Sequence, residues 1–434
     1  MTDKLILSAG RFLEPLDMPV SAETLARLCE GFGLDSRTVD AAAAELELNH
    51  DLKYSGVRGL IGACLAELTG ALLSEDGRAL VEVSVPSPLC LVTALSCAAR
   101  GRARFATSAL LAQAFLRGLM LDSRPLDFTS CAKRRCGLNK MRERLVVEPV
   151  GRAPDMTLQF GSLCDECVKT GELLSAGVPA VSCTLPRSGP ERLKCTRALL
   201  ERTAQTAASR LGVTLTDSDM ESALDTYSRL MRVQARLALL NSRRGRTPLY
   251  GNSFALAQSV TLMCFDDWEA PLGTLETLAH ELESAPEAES GRKRLYCFYV
   301  PFTRPGIDAR FRANSVDLMG SAAFLTAPQP KSADIYELSA RALTCAAPAL
   351  DVKDEARLTA SAAKAAGCTA YLTGSFSFDR RMGSAVPMLR KVLLEDYGLP
   401  SYSLESDFWC ESGSPMPPNE RIDAICDMLS ELSN

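Results

Sequence analysis

Four cysteines fall within thirty-seven residues, as Cys131-x4-Cys136 and Cys164-x2-Cys167, in a chain with only two histidines. Clustered thiols without a neighbouring imidazole suit an iron-sulfur cluster, or another thiolate-bound metal, better than a mixed Cys/His zinc site. The C-x-x-C pair also opens a helical stretch just after the apolar run MTLQFG (156–161). There the free amides and the dipole of a helix N-terminus favour thiolate, the form that binds iron or zinc. Of the sixteen cysteines, others such as Cys64, Cys195 and Cys426 sit at apolar positions of helical patterns, and are expected to be small buried hydrophobes.

Charge surrounds the cysteine group. Lys133, Arg134, Arg135, Lys140, Arg142 and Arg144 lie within and after the C-x4-C segment. Such a run is commonly a solvated helix face; it could also lower thiolate pKa values, offset a cluster's negative charge or hold phosphates. Asp165, next to Cys164, is expected first as a helix cap. His50 and His280 fall in helical regions with no acidic or serine partner at a suggestive spacing, which speaks against a histidine triad or a zinc hydrolase. With no G-x-G-x-x-G and no Walker A loop, no nucleotide is expected to be bound by this chain.

The elements that must position these groups follow from periodicity. Residues 1 to about 76 read as helices, with Ser21 as the cap of SAETLARLCEGFG, TVDAAAAELEL after it, and apolar residues at helical spacing through VRGLIGACLAELTGALL. From about 79, short β-rich runs alternate with helices: ALVEVSV, MTLQFG and AVSCTL, then, beyond a pair of long helices over 188–245, RLYCFYVPF, SAAFLTAP, CTAYLTG and PSYSLESD. Alternation of this kind predicts βαβ units around parallel sheets. The first long helix is expected to start at a serine cap with Pro190 in its first turn, the second to stop at arginines and Gly245. SAPEAESGR (284–292) reads as a linker. The expected organisation is an N-terminal helical region over 1–76, a first α/β lobe with connecting long helices over 77–250, and a second α/β lobe over 251–434.

Composition bounds the rest. The chain has 434 residues, 47% hydrophobic and 23% charged, with a net charge of −5. That is an ordinary globular balance at a length that calls for more than one domain. An acidic chain lacks the basic footprint of general nucleic-acid binding. The N-terminus has no basic start followed by a long apolar stretch, and no uncharged apolar run reaches the length of a membrane span, so a cytoplasmic location with reduced thiols is expected.

Several blocks, in order, resemble the 2-hydroxyacyl-CoA dehydratase D-component family, whose relatives include benzoyl-CoA reductase subunits and double-cubane cluster proteins. They are CGLNKMRERL (136–145), LCDECVKTGELL (163–174), the long helix pair, GRKRLYCFYVPF, VPMLRKVLLEDYGLPSYSLESDF and NERIDAICDML. The resemblance runs from about 80 to 434 and implies two flavodoxin-like lobes gripping an iron-sulfur cluster in the cleft between them. It implies Cys136 and Cys164 as ligands from two loops of the first lobe, at strand ends where open α/β sheets gather their sites. A further family ligand would fall near Gly374-Ser375-Phe376-Ser377-Phe378-Asp379, which has no cysteine. Cys368 begins CTAYLTG, six residues and about 20 Å from the strand's other end. SAAFLTAPQP offers no cysteine after the second strand either.

Three readings of the cysteine group stay open. Cys131 or Cys167 joins Cys136 and Cys164 on a 4Fe-4S cluster; the four thiolates hold a structural zinc; or the lobe has lost its metal and these are idle thiols. The function that the resemblance implies is one-electron chemistry through a ketyl radical on a CoA thioester, driven by a separate ATP-dependent activator, with a second D-component-like subunit as partner. The rival is a non-catalytic, cluster-lacking partner or scaffold subunit of such a complex.

Overall fold

The structure, a computed structural model, describes residues 2–16, 18–120, 136–161, 165–298, 306–327, 334–375, 380–405 and 419–431. Its N-terminal part is helical: α1 (Asp3–Leu13), α2 (Ala22–Gly31), α3 (Ser36–Asn49) and α4 (Ser55–Leu73). Local chemistry starts two of these helices. The Ser21 hydroxyl accepts the Thr24 N–H at 3.2 Å, and Asp35 accepts that of Thr38 at 2.9 Å, each satisfying one of the free amides of a first turn. Among the described helices α4 alone is long and apolar enough to cross a membrane, yet most of it is buried inside the protein.

The first sheet is built from β1 (Ala79–Val83), α5 (Leu89–Ala98), β2 (Ala103–Ala106), α6 (Ser108–Gln113), α7 (Gly137–Val147), β3 (Met156–Gly161), α8 (Asp165–Leu174) and β4 (Ala180–Thr184). All four strands are parallel, in the order β2-β1-β3-β4, with Val81 opposite both Phe105 and Met156. Two long helices follow, α9 (Arg192–Leu211) and α10 (Asp217–Asn241), then α11 (Gly251–Ser259) and α12 (Glu269–Glu283). The second sheet comprises β5 (Lys293–Cys297), α13 (Ile307–Ala313), β6 (Val316–Ser321), α14 (Ile335–Thr344), α15 (Val352–Ala365), β7 (Ala370–Ser375), α16 (Arg380–Tyr397), β8 (Ser401–Glu405) and α17 (Asn419–Glu431). It is again all parallel, in the corresponding order β6-β5-β7-β8. Two parallel four-stranded sheets flanked by helices, with a helical N-terminal region, make the chain the two-lobed α/β protein that the alternating pattern predicts.

Four details depart from expectation. β2, only four residues long, was not anticipated. The second strand of the second lobe is Val316–Ser321 rather than SAAFLTAP, whose first residues Ala322–Phe324 form a 3-10 turn. Asp317 masks that strand in the sequence; its charge is met by Arg292, whose Nε lies 3.0 Å from the carboxylate. α9 starts at Arg192 without a side-chain cap, so Pro190 precedes the helix instead of lying in its first turn. The 284–292 stretch is no free linker: Thr247 N–H donates to Pro286 O at 2.9 Å and Ala288 N–H to Gly245 O at 3.0 Å, a short antiparallel clasp.

α12 returns to the N-terminal helices and caps α4. The Glu281 carboxylate accepts the backbone N–H groups of Ser55 (2.8 Å) and Gly56 (3.0 Å), the role an anionic group plays at a helix N-terminus. Gly56 lets the two helices touch, since a Cβ there would lie 2.5 Å from that of Leu278. The N-terminal helices, the first sheet and α9 to α12 share one apolar core, while the second sheet carries a separate cluster on each face. Leu295 and Cys297 enter one of these clusters and Tyr296 the other, as alternation along a strand buried on both faces requires.

Candidate metal centre

The carboxyl edge of the first sheet is pinned before any thiol reaches it. Beyond β1, Ser84 N–H donates to Leu158 O at 2.9 Å and the Ser84 hydroxyl accepts Phe160 N–H at 2.8 Å, locking the ends of β1 and β3 together. Cys167 lies in the first turn of α8, buried, and its thiol donates to the Val85 carbonyl across 3.4 Å. Cys136 is the N-cap residue of α7, its carbonyl accepting Lys140 N–H at 3.1 Å. α7 and α8 pack against each other, so two of the four sequence-predicted thiols enter the same edge from neighbouring helix starts. Cys131 and Cys164 lie outside the described residues, as do Lys133, Arg134, Arg135, Ser377 and Asp379. Asp165 and Ser375 are described as backbone positions, in α8 and at the end of β7.

Of these two thiols, Cys136 meets the other lobe. It is half-buried and packs against the cluster formed by Tyr296, Phe298, Met319 and Ala322 on one face of the second sheet. Its sulfur accepts an N–H from the Asn139 side chain at 3.4 Å, and the Asn139 carbonyl oxygen accepts from an Arg142 Nη at 3.3 Å. The amide orientation is fixed by these two partners, a donor facing sulfur and an acceptor facing guanidinium. Arg142 is buried, and its Nε and other Nη have no hydrogen-bond partner within the protein. Beneath it lies Glu82 of β1, whose carboxylate accepts N–H from Ser108 (3.1 Å) and Ala109 (3.3 Å) at the start of α6. Burial pushes the Glu82 pKa up, opposed by the Ser108 hydrogen bond and the Arg142 charge. A cation is thus relayed through one amide onto the Cys136 sulfur.

The solvated-face reading of the basic run therefore fails for Lys140 and Arg142, both of which are buried. Asn139 was missed. The signal was present in its position: a side chain at the third helical residue can reach back to the N-cap, as in a capping box. Here it reaches a sulfur instead of a backbone amide.

The remaining thiols divide cleanly. Burial pushes the Cys29, Cys64 and Cys90 pKa values up to about 12, and Cys426 to about 11, so they stay neutral and inert. Cys195 is exposed, contrary to the expectation of a buried hydrophobe. Cys368 is buried ahead of β7, on the amino side of that strand, with its pKa raised by burial. Cys297 does close a strand of the second sheet, but its thiol is turned into the core and donates to Gly320 O at 3.0 Å. His50 is buried at the end of α3, while His280 is exposed beside Glu283 at 3.2 Å. Among the described residues no three His, Cys, Asp or Glu side chains converge as a metal site. The donors present are nevertheless of the kind an iron-sulfur cluster takes: a half-buried sulfur with an amide donor and a buried cation behind it, and a second thiol at the neighbouring helix start.

No curated protein matches the chain. The family model of 2-hydroxyglutaryl-CoA dehydratase, D-component, matches residues 125–429, which span α7, β3, the long helix pair and the second lobe into α17. With that match over most of its length, on a two-lobed α/β fold, the chain belongs to the 2-hydroxyglutaryl-CoA dehydratase D-component family.

Proposed function

We propose that this chain is the cluster-bearing subunit of a 2-hydroxyacyl-CoA dehydratase-like or benzoyl-CoA-reductase-like complex, in which Cys136 and Cys164 hold a 4Fe-4S cluster and Cys131 and Cys167 complete the ligand set. The observation that carries this reading is the Arg142–Asn139–Cys136 relay facing the second lobe. A merely structural cysteine needs no amide donor and no buried cation; a thiolate ligand gains from both. Bound there, a cluster would supply single electrons to the carbonyl of a CoA thioester, the chemistry that permits loss of a 2-hydroxyl group.

The chain's own residues do the rest. Asn139 orients the sulfur, Arg142 offsets negative charge behind it, and the Tyr296, Phe298 and Met319 cluster keeps water from its far side. As a ligand, Cys167 exchanges its hydrogen bond to Val85 for the metal. A second D-component-like subunit and a separate ATP-dependent activator complete the system in the cytoplasm. One observation favours the rival, a cluster-lacking partner subunit: the 374–379 segment has no cysteine.

The test is spectroscopic. The protein is purified without oxygen, reduced, and its electron paramagnetic resonance recorded with free CoA and with a 2-hydroxyacyl-CoA. A cluster signal that shifts with the thioester alone, and is absent in Cys136→Ala, is expected. A signal indifferent to the thioester contradicts the dehydratase reading, and a protein with no signal at all supports the partner reading.

A further inference from the structure

A cavity of about 160 Å³ lies beside the candidate metal centre, bounded by α4, α6, α11 and, from the second lobe, Phe324. Its wall includes Leu138, two residues beyond Cys136, and Val85, whose carbonyl accepts the Cys167 thiol. The rest is mostly hydrocarbon, with the His50 imidazole, Ser259 and the amides of Gln113 and Asn252 as its polar side chains. Among the described residues no lysine or arginine lines it. Twelve of its twenty lining residues fall in 50–119, outside the 125–429 stretch that matches the family.

One side chain in it is out of place unless something binds. Gln113 is 0% exposed, and neither its amide nitrogen nor its amide oxygen has a hydrogen-bond partner within the protein. Nearby, the Asn252 side-chain oxygen is likewise buried and unpartnered. A buried amide with no partner is costly and rare in native proteins. Ligand sites typically combine apolar walls with a few placed polar groups of this sort. For scale, an engineered apolar cavity of roughly 150 Å³ takes a benzene molecule.

We propose that this cavity binds the acyl end of the thioester: an uncharged hydrocarbon group of about five or six carbons, with one neutral polar atom paired to Gln113. The substrate class rests on the thioester reading above. It disfavours acyl groups that end in a carboxylate, such as the glutaryl group of the family's name, because no lysine or arginine in the described wall pairs a buried anion and the His50 imidazole is its one potentially cationic side chain.

Equilibrium binding is measured on the full chain with hexanoyl-CoA, adipoyl-CoA, free CoA and hexanamide, in the native protein and in Ala255→Phe, which fills the cavity. Gln113→Met, which keeps the volume, is the second variant. Expected are hexanoyl-CoA binding at least about tenfold tighter than adipoyl-CoA, loss of that difference in Ala255→Phe, and hexanamide binding several-fold weaker in Gln113→Met, which itself melts higher than the native protein when unliganded. Equal binding of the two thioesters, unchanged by Ala255→Phe, overturns the cavity proposal and leaves the thioester reading standing. Binding of hexanamide but of no thioester keeps the cavity and contradicts the thioester reading. No binding of any probe overturns the proposal.

Discussion

At the scale of residues, the candidate centre depends on side chains that sequence pattern alone does not single out. Arg142 reads as a member of a charged helix face and Asn139 carries no signal of its own, yet Asn139 touches the Cys136 sulfur and Arg142 is buried behind it. Groups that orient a ligand commonly govern metal affinity by about 10- to 100-fold. Asn139→Ala is therefore expected to lose iron to a chelator about tenfold faster than the native protein while melting close to it; equal rates of iron loss would deny Asn139 this role. Glu67 offers a prediction of a different kind. Burial pushes its pKa from 4.5 up to about 7, against the pull of Arg104, whose Nε lies 3.4 Å away. The folded state thus holds a proton that the unfolded chain releases. Its stabilising contribution is complete below about pH 4.5 and is lost as pH rises through about 7. Glu67→Gln, which leaves Arg104 beside Asp266 at 3.5 Å, should flatten the fall in melting temperature between pH 5 and pH 8. An unchanged slope would show that Glu67 ionises normally.

At the scale of elements, helix starts and close helix contacts do the positioning. The Thr216 hydroxyl accepts Asp219 N–H at 3.3 Å while the Asp219 carboxylate accepts Thr216 N–H at 2.9 Å, a capping box that sets the start of α10. Thr216→Ala should cost about 1 kcal/mol in urea unfolding. Gly56→Ala should cost more. Its Cβ would meet the Cβ, Cα and N of Leu278 at 2.5–2.6 Å, and backbone cannot swing aside as a side chain can. A loss above about 2 kcal/mol is expected, against the few tenths of a surface change; a variant as stable as the native protein would show that α4 and α12 are not held so close. Periodicity exposed the long elements well: the helices of the first 76 residues, the strands near 79, 156 and 180, and the final strand. It failed where tertiary pairing overrides local composition. Ala103–Ala106 is too short to stand out, with Arg102 before it and Arg104 within it, and Val316–Ser321 carries Asp317, neutralised by Arg292 from outside the strand. The thiol spacing pointed to the edge where Cys136 and Cys167 lie, but Gln113 and the cavity it enters could not be foreseen, because its walls come from segments some two hundred residues apart.

At the scale of the whole molecule, two lobes with matching strand order are tied together away from the thiols. Arg197 bonds Asp334 at 2.8 Å from α9 to the start of α14, and Arg192 reaches Ala349 O at 2.9 Å. On the opposite flank, Arg312 of α13 donates to Leu48 O, stacks 3.4 Å from the Tyr250 ring centroid and faces Asp308 at 3.5 Å. Arg312→Met would leave Asp308, which is fully buried, without its cation and held by the Asn252 N–H at 3.3 Å, and should cost about 3 kcal/mol. Hydrogen exchange should rise over 306–313 and leave α5 unchanged; protection unchanged over 306–313 would remove this tie from the account. Such ties keep Cys136 against the second lobe, the junction at which we propose an iron-sulfur cluster. Iron and acid-labile sulfide counted per chain, in protein purified without oxygen, test it most directly. About four of each, lost in Cys136→Ala while the variant still folds, is the result predicted; a native protein free of iron, or one that holds zinc in its place, would contradict it.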